Sequence, residues 1–252
     1  MFLILKKSYR LLRIILHVLW GVVQVIYYLD EKKSPEEKEK KIIQHWLEKF
    51  VQLLNIEKKI HGEIHLENQL MVANHISWKD ILLLNSIYPT RFVAKSEISK
   101  WPVIGWLSTR VGTLFVKRGS ITDIKRLNEE ISELVTAGER VTLFPEGATS
   151  EGSEIAHLYP GLFQSVIGPS RNESPLGVQP IVIIYKIDDE LSPHIPFTGE
   201  ANMLGNLWSV LGYDHITADI YFTPFISSEN MTRKTLSAHS HQQMKKTLKK
   251  KL

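Results

Sequence analysis

Leu70-Met71-Val72-Ala73-Asn74-His75-Ile76-Ser77-Trp78-Lys79-Asp80-Ile81-Leu82-Leu83-Leu84 decides how the chain is read. Two apolar runs flank a polar turn, which predicts a buried strand, a turn carrying a histidine, and a helix with an acid near its start. A neutral imidazole can accept a proton at physiological pH, and a carboxylate beside it can hold the ring in the required tautomer. Four residues separate His75 from Asp80. On one continuous helix that offset turns through about 140°, so the two would not share a face. With His75 on the turn and Asp80 one turn into the helix, the carboxylate can reach back to the ring. A histidine five residues before an aspartate says little by itself, so the weight falls on the rest of the chain.

The 252 residues suffice for one large α/β domain or two small ones. There are no cysteines, which excludes disulfides, Cys-containing zinc sites and a thiol nucleophile. Lys plus Arg is 31 against 27 for Asp plus Glu, and a net charge of +4 is no nucleic-acid signature. The placement of the cations is more telling. Lys6, Lys7, Arg10 and Arg13 lie at one end, and Lys245, Lys246, Lys249, Lys250 and Lys251 at the other. Basic ends beside an apolar N-terminus fit an anionic membrane surface, with a solvated tail as the alternative for the C-terminal lysines.

Residues 11–29 are the most apolar segment, and Tyr27-Tyr28-Leu29-Asp30 is a poor cleavage site for a signal peptide. The length is marginal for a membrane span, which needs roughly 20 residues. Lys6, Arg10, Arg13, His17, Gly21 and Gln24 recur at helical steps as a polar and small stripe, while Leu12, Ile15, Leu19, Val22, Val23 and Ile26 occupy the other faces. Such a helix is read as lying in the membrane interface or dipping into one leaflet, in preference to a full span. A second helix is expected with Ser34 as N-cap, Pro35 at its first position and Glu37 closing a capping box. Residues 1–57 are therefore read as membrane-anchoring helices, and 58–252 as the domain that carries the chemistry. Within it Ile60, Gly62, Ile64 and Leu66 alternate with His61, Glu63 and His65, which predicts a half-buried strand with outward histidines.

From residue 70 onward strands and helices alternate. Strands are predicted over 70–73, 91–95, 113–117, 140–144, 178–185 and 216–222, and helices over 78–86, 98–109, 122–137 and 161–167, with a basic last helix from about Met231. Near-continuous apolar strands between amphipathic helices imply an α/β fold with a mixed, largely parallel sheet covered by helices on both faces. Residues 188–215 read as an insertion whose Met203, Leu204, Leu207, Trp208 and Leu211 either pack in the core or form a lid or acyl-channel wall. Further clusters fall where strands end, the place at which open α/β sheets build sites. These are Gly112-Thr113-Leu114-Phe115-Val116-Lys117-Arg118, then Phe144-Pro145-Glu146-Gly147-Ala148-Thr149-Ser150, and Val178-Gln179-Pro180-Ile181-Val182.

Taken in order, Asn-His-x-Ser-x-x-Asp, Gly-x-x-Phe-x-x-Arg, Phe-Pro-Glu-Gly and Val-x-Pro-Ile resemble the four blocks of the glycerolipid acyltransferases. That family includes bacterial 1-acylglycerol-3-phosphate, lysophospholipid and lyso-ornithine-lipid acyltransferases. The blocks span roughly residues 70–185, and Phe92-Val93-Ala94-Lys95-Ser96-Glu97 and Trp101-Pro102-Val103-Ile104-Gly105-Trp106 between the first two are also similar to the family. The resemblance implies a membrane-bound O-acyltransferase that moves a fatty acyl group from acyl-CoA or acyl-carrier protein to the free hydroxyl of a lysolipid. His75 would be the general base and Asp80 its orienting partner. Arg118 would meet an acceptor phosphate, aided by Lys117 and Lys95, each of which could equally be a solvated surface lysine. Glu146 would bond acceptor hydroxyls or support Arg118, with amides around Gly147 stabilising the oxyanion. No metal or cofactor is expected, no nucleic-acid partner, and the bacterial inner membrane at its cytoplasmic face is the implied location.

One departure stands out. Phosphatidate-forming members usually show Glu-Gly-Thr-Arg, whereas this chain has Glu146-Gly147-Ala148-Thr149. Losing a fixed cation removes a charge-assisted contact worth about 1.5–3 kcal/mol, which weakens the case for lysophosphatidate and suits a lysolipid without a dianionic phosphate. An acyl-thioester hydrolase on the same fold and a non-catalytic lipid-binding protein are the competing readings. Arg118 speaks against the first, and a general base against the second.

Overall fold

The computed structural model describes residues 1–28, 36–65, 69–117, 119–168, 176–199 and 202–252. Two helices, α1 (Phe2–Tyr28) and α2 (Glu37–Leu53), precede an alternating run: β1 (Ile56–His61), β2 (Gln69–Ala73), α3 (Lys79–Ile87), β3 (Arg91–Lys95), α4 (Ile104–Arg110), β4 (Leu114–Val116), α5 (Ile121–Thr136) and β5 (Val141–Leu143). The long β6 (Gly177–Ile187) follows, then β7 (Glu190–Leu191), α6 (Met203–Val210), β8 (Ile216–Phe222), β9 (Ile226–Ser227) and α7 (Arg233–Lys251). The strand order is β1-β8-β6-β2-β5-β3-β4, with β7 and β9 added to β6. From β6 to β4 every neighbouring pair is parallel, whereas β8 is antiparallel to β6 and β1 is parallel to β8. The expected mixed, largely parallel sheet is what the chain forms.

Alternation along the central strands divides the core in two. Met71 and Ala73 of β2, with Ile181 and Ile183 of β6, face Leu83 and Leu84 of α3, Val51 of α2 and Leu54 just after it, and Ile14 of α1. Leu70, Val72, Val182 and Ile184 face Leu127, Ile131 and Val135 of α5 and Leu236, Met244 and Leu248 of α7. Residues at period 2 on a strand buried on both sides must be apolar throughout, which is why β2 and β6 read as continuous hydrophobic runs.

α1 turns its polar stripe inward. Lys6 and Arg10 pair with Asp214 at 2.7 Å each. His17 stacks on Trp46 with ring centroids 4.9 Å apart, and the Trp46 Nε1–H donates to the His17 carbonyl at 3.0 Å. Gly21 lets α2 approach, since a Cβ there would lie 2.6 Å from the Trp46 ring. Leu12, Ile15, Leu16, Leu19, Trp20, Val23 and Ile26 are exposed. Arg13 departs from the pattern and lies outward, over the ring of Tyr9.

The sequence reading is corrected in three places. The first strand covers Ile56–His61, not residues 60–66: Gly62 has φ +83° and a Cβ on it would fall 2.2 Å from the Phe222 carbonyl, so the chain leaves the sheet there. The helix expected over 98–109 is broken into a 3₁₀ segment, Ser96–Lys100, and α4. Pro102 between them cannot donate to a continuing helix. The capping box of α2 is formed by Glu36 and Glu39, while the expected Ser34 and Pro35 lie outside the described residues. Replacing Gly62 with Ala should destabilise the fold by about 1–3 kcal/mol, the range for a side chain forced into left-handed backbone against a neighbour, read as a lower midpoint in urea.

Candidate active site

β2 ends by substituting a side chain for a peptide group. The Asn74 amide, fully buried, accepts from the Ile183 N–H at 2.7 Å and donates to the Ile183 carbonyl at 3.0 Å. The ladder to β6 is thereby completed by an amide while the main chain is freed to turn into His75. A buried peptide group left unpaired costs free energy, so Asn74 is what lets β2 stop at this point. The sequence reading gave it no role, although a polar amide directly behind four apolar strand residues was the available signal.

His75 lies on that turn and Asp80 is the second residue of α3. Asp80 Oδ2 accepts three hydrogen bonds, from His75 Nδ1 at 2.8 Å, the Ile76 amide at 2.7 Å and the Ser77 amide at 2.9 Å. A carboxylate at the start of a helix also meets the positive end of its dipole. With Nδ1–H donated to Asp80, Nε2 of a neutral His75 is the basic nitrogen. The imidazole stacks on Phe144 with centroids 4.0 Å apart and planes 14° from parallel. Ser77 is fully buried, and its backbone, not its hydroxyl, makes the turn bonds.

The loop after β5 is tied to this turn. The Ser150 amide donates to the His75 carbonyl at 2.7 Å. Gly147 has φ +72°, and its amide closes a turn onto the Phe144 carbonyl at 3.0 Å. That amide is therefore spent, so an oxyanion donor among the amides expected around Gly147 has to come from one of its neighbours. Glu146 is 7% exposed and neither carboxylate oxygen makes a well-formed hydrogen bond. Burial pushes its pKa from 4.5 up to about 7, against the downward pull of Ser150 and the nearby amides.

Residues 192–199 and 202–211 close a third side. The Phe197 amide donates to the Ile76 carbonyl at 2.9 Å, and the Thr149 hydroxyl donates to the Phe197 carbonyl. Lys79 is fully buried, with Nζ 2.7 Å from Asn206 Oδ1, which also accepts from Trp78 Nε1 at 3.1 Å. Burial lowers the Lys79 pKa to about 7, opposed by the charge of Asp80. The segment is both core and surface: Leu207, Val210 and Leu211 are buried, whereas Leu204 and Trp208 are exposed, the latter with Lys7 of α1 over its ring.

His75, Glu146, Lys95 and Lys117 follow β2, β5, β3 and β4 in the order of the sheet, along one edge at the strand C-termini. His75, Asp80, Glu146, Gly147 and Thr149 are brought together. Lys95 and Lys117 are exposed at adjacent strand ends further along, and Arg118 lies outside the described residues.

A family model described as Acyltransferase matches residues 52–184, more than half of the chain. The chain thus belongs to the acyltransferase family. It is 32% identical over 203 residues to the lyso-ornithine lipid O-acyltransferase of Pseudomonas aeruginosa, covering 81% of this chain and 76% of that one. It is 31% identical over 160 residues to the 1-acyl-sn-glycerol-3-phosphate acyltransferase of Neisseria gonorrhoeae, covering 63% of this chain and 60% of that one. The crystal structure of the 1-acyl-sn-glycerophosphate acyltransferase PlsC of Thermotoga maritima superposes with a TM-score of 0.70 at 18% identity, over 98% of this chain and 95% of that one, which shows a shared fold.

Two outcomes follow from the geometry. Asn74→Ala leaves the Ile183 N–H and carbonyl unpaired and should cost about 2–6 kcal/mol, taking about 1–3 kcal/mol for each buried group, measured by urea denaturation. Glu146 keeps its proton to about pH 7 when folded but loses it near 4.5 when unfolded, so the folded state binds more protons in that window. Stability from this group therefore falls as pH rises from about 4.5 to 7. Glu146→Gln should flatten that slope, with its melting temperature gaining on the wild type as pH is raised from 5 to 8.

Proposed function

We propose that the protein transfers a fatty acyl group from an acyl thioester, acyl-CoA or acyl-carrier protein, to the free hydroxyl of a lysolipid at a membrane surface. The observation that carries this is the single Asp80 oxygen holding His75 Nδ1–H, which directs Nε2 away as a base. The acceptor hydroxyl attacks the thioester carbonyl while His75 Nε2 takes its proton. The tetrahedral intermediate then expels the thiolate, which recovers that proton from the imidazolium. The substrate alcohol replaces the serine of a Ser-His-Asp triad, so no acyl-enzyme forms. The Phe144 face supports the ring, and buried Asp80 favours the imidazolium that forms in transit. Among the described residues no group bonds the Ala148 amide, between the spent amides of Gly147 and Ser150, and it is the candidate oxyanion donor. Nothing in this sequence of steps calls for a metal or a cofactor.

Membrane attachment is the second part of the reading. α1 exposes an apolar face longer than any soluble monomer ordinarily leaves in water, and its length and composition would also permit a span. Because the opposite, polar stripe is engaged with Asp214 and Trp46, immersion of the outer face in one leaflet is favoured. Lys7 over Trp208 links that helix to the segment walling the site. A cytoplasmic bacterial membrane is the proposed setting.

Thr149 bears on the acceptor. Its hydroxyl is directed to the Phe197 carbonyl, a neutral contact internal to the wall. This favours an acceptor without a dianionic phosphate, in line with the name of the P. aeruginosa relative, and leaves Arg118, Lys117 and Lys95 as the proposed contacts for an acidic head group.

His75→Ala should lower turnover by about 10²–10⁴-fold, the range for a general base, with membrane binding intact; full turnover would remove the proposed base. Release of fatty acid with no lysolipid requirement would identify a hydrolase instead. Leu12→Glu combined with Leu19→Glu should shift the protein from the sedimented membrane fraction to the supernatant without unfolding it. Assayed on lyso-ornithine lipid and lysophosphatidate, the wild type should prefer the former, and Thr149→Arg should move the ratio of kcat/KM values toward lysophosphatidate.

A further inference from the structure

Tyr185 lies on β6 two residues beyond Ile183, the residue paired with Asn74. Its ring is buried in the core that contains Ile181, Ile183, Leu83 and Leu84, on the face of the sheet covered by α3. Its hydroxyl makes no well-formed hydrogen bond, and neither does Asp80 Oδ1, the carboxylate oxygen that does not serve His75. One orphan is a donor and the other an acceptor, both are buried, and a buried polar atom without a partner is costly. They are also neighbours: beyond burial itself, what most raises the Tyr185 pKa is the charge of Asp80 and a side-chain hydrogen bond to it. The phenolic hydrogen swings about its C–O bond, so a small adjustment of the ring joins the two. Besides His75, Lys79 beside Asp80 on α3 and Glu146 on the β5 loop are ionisable groups that feel the Asp80 charge. Neither is hydrogen-bonded to Oδ1.

We propose that Tyr185 is a positioning residue for the His75–Asp80 pair, its hydroxyl donating to Asp80 Oδ1 and fixing the carboxylate plane so that Oδ2 stays on His75 Nδ1. The inference rests on the general-base reading of His75. Oδ2 already holds the ring and two amides, so the only remaining handle on the carboxylate's rotation is Oδ1. A hydroxyl there also withdraws charge from the carboxylate and thereby sets how strongly it favours the imidazolium. The Ser77 hydroxyl, in the same turn and likewise without a partner, is the competing donor.

The test uses the full-length protein in membranes with palmitoyl-CoA and whichever of lyso-ornithine lipid and lysophosphatidate the wild type accepts. Wild type, Tyr185→Phe, Ser77→Ala and His75→Ala are compared in kcat, KM and the pH dependence of kcat/KM. Tyr185→Phe keeps the ring in the core and removes only the hydroxyl. It should lower kcat by about 10–100-fold, the rate equivalent of a hydrogen bond to a charged group, with little change in KM. Its acid limb should move to higher pH, because a carboxylate short of a donor raises the proton affinity of His75. A limb that stays in place overturns the proposal whatever the rate, since a merely structural hydroxyl would lower activity through stability without moving it. A limb that moves in Ser77→Ala and not in Tyr185→Phe overturns it in favour of Ser77. Retained turnover in His75→Ala is a separate result, and it removes the general-base reading itself.

Discussion

Three donors converge on one oxygen atom, Oδ2 of Asp80, and the site is built from that convergence. The amides of Ile76 and Ser77 fix the turn, and His75 Nδ1 fixes the ring. The position of the aspartate at the second residue of α3 explains the spacing of the motif. A carboxylate there reaches the amides three and four residues back, much as the returning acid of a capping box does, and the side chain one residue further back comes with them. One residue more or fewer between His75 and Asp80 would leave the amides satisfied and the ring without its partner.

The turn is held from outside by one side chain that takes the place of backbone and by two backbone bonds from distant loops. Asn74 stands in for a strand residue against Ile183, Ser150 returns the β5 loop to the His75 carbonyl, and Phe197 brings residues 192–199 onto Ile76. Asn206 gathers Trp78 and Lys79 from the helix start. This arrangement is bought with stability. A glutamate and a lysine, each with its pKa displaced to about 7, are buried at the same end of the sheet, and polar atoms of Ser77, Asp80, Glu146 and Tyr185 are left without well-formed bonds. Local departures of this kind cluster where a protein acts on something else.

α1 inverts the usual arrangement of an amphipathic helix on a domain. Most of its polar stripe faces the protein, and most of its apolar residues face out. In water that is unfavourable, and beside a lipid phase it is not. Trp208, in the chain segment that walls the site, receives Lys7 of this helix, and Asp214, three residues beyond that segment, receives Lys6 and Arg10. The proposed anchor and the proposed active site are thus mechanically one unit.

Much was legible in the order of residues. The apolar runs at 70–73 and 178–185 gave central strands because period-2 burial on both faces leaves no polar position, and helix spacing gave α5. The His75–Asp80 offset gave the turn-then-helix geometry, since no continuous helix brings those side chains together. What the sequence could not fix were contacts between distant segments. The end of β1 depended on the Phe222 carbonyl beside Gly62. The pairing of Asn74 with Ile183 joins residues 109 positions apart, and that of Lys79 with Asn206 joins residues 127 apart. Local pattern determined the elements and the chemistry at their ends, because propensity and capping act within a few residues. Only the tertiary structure decided which donors remain free, which charges are buried and which face of α1 is left exposed, because those follow from what each side chain meets after the sheet has closed.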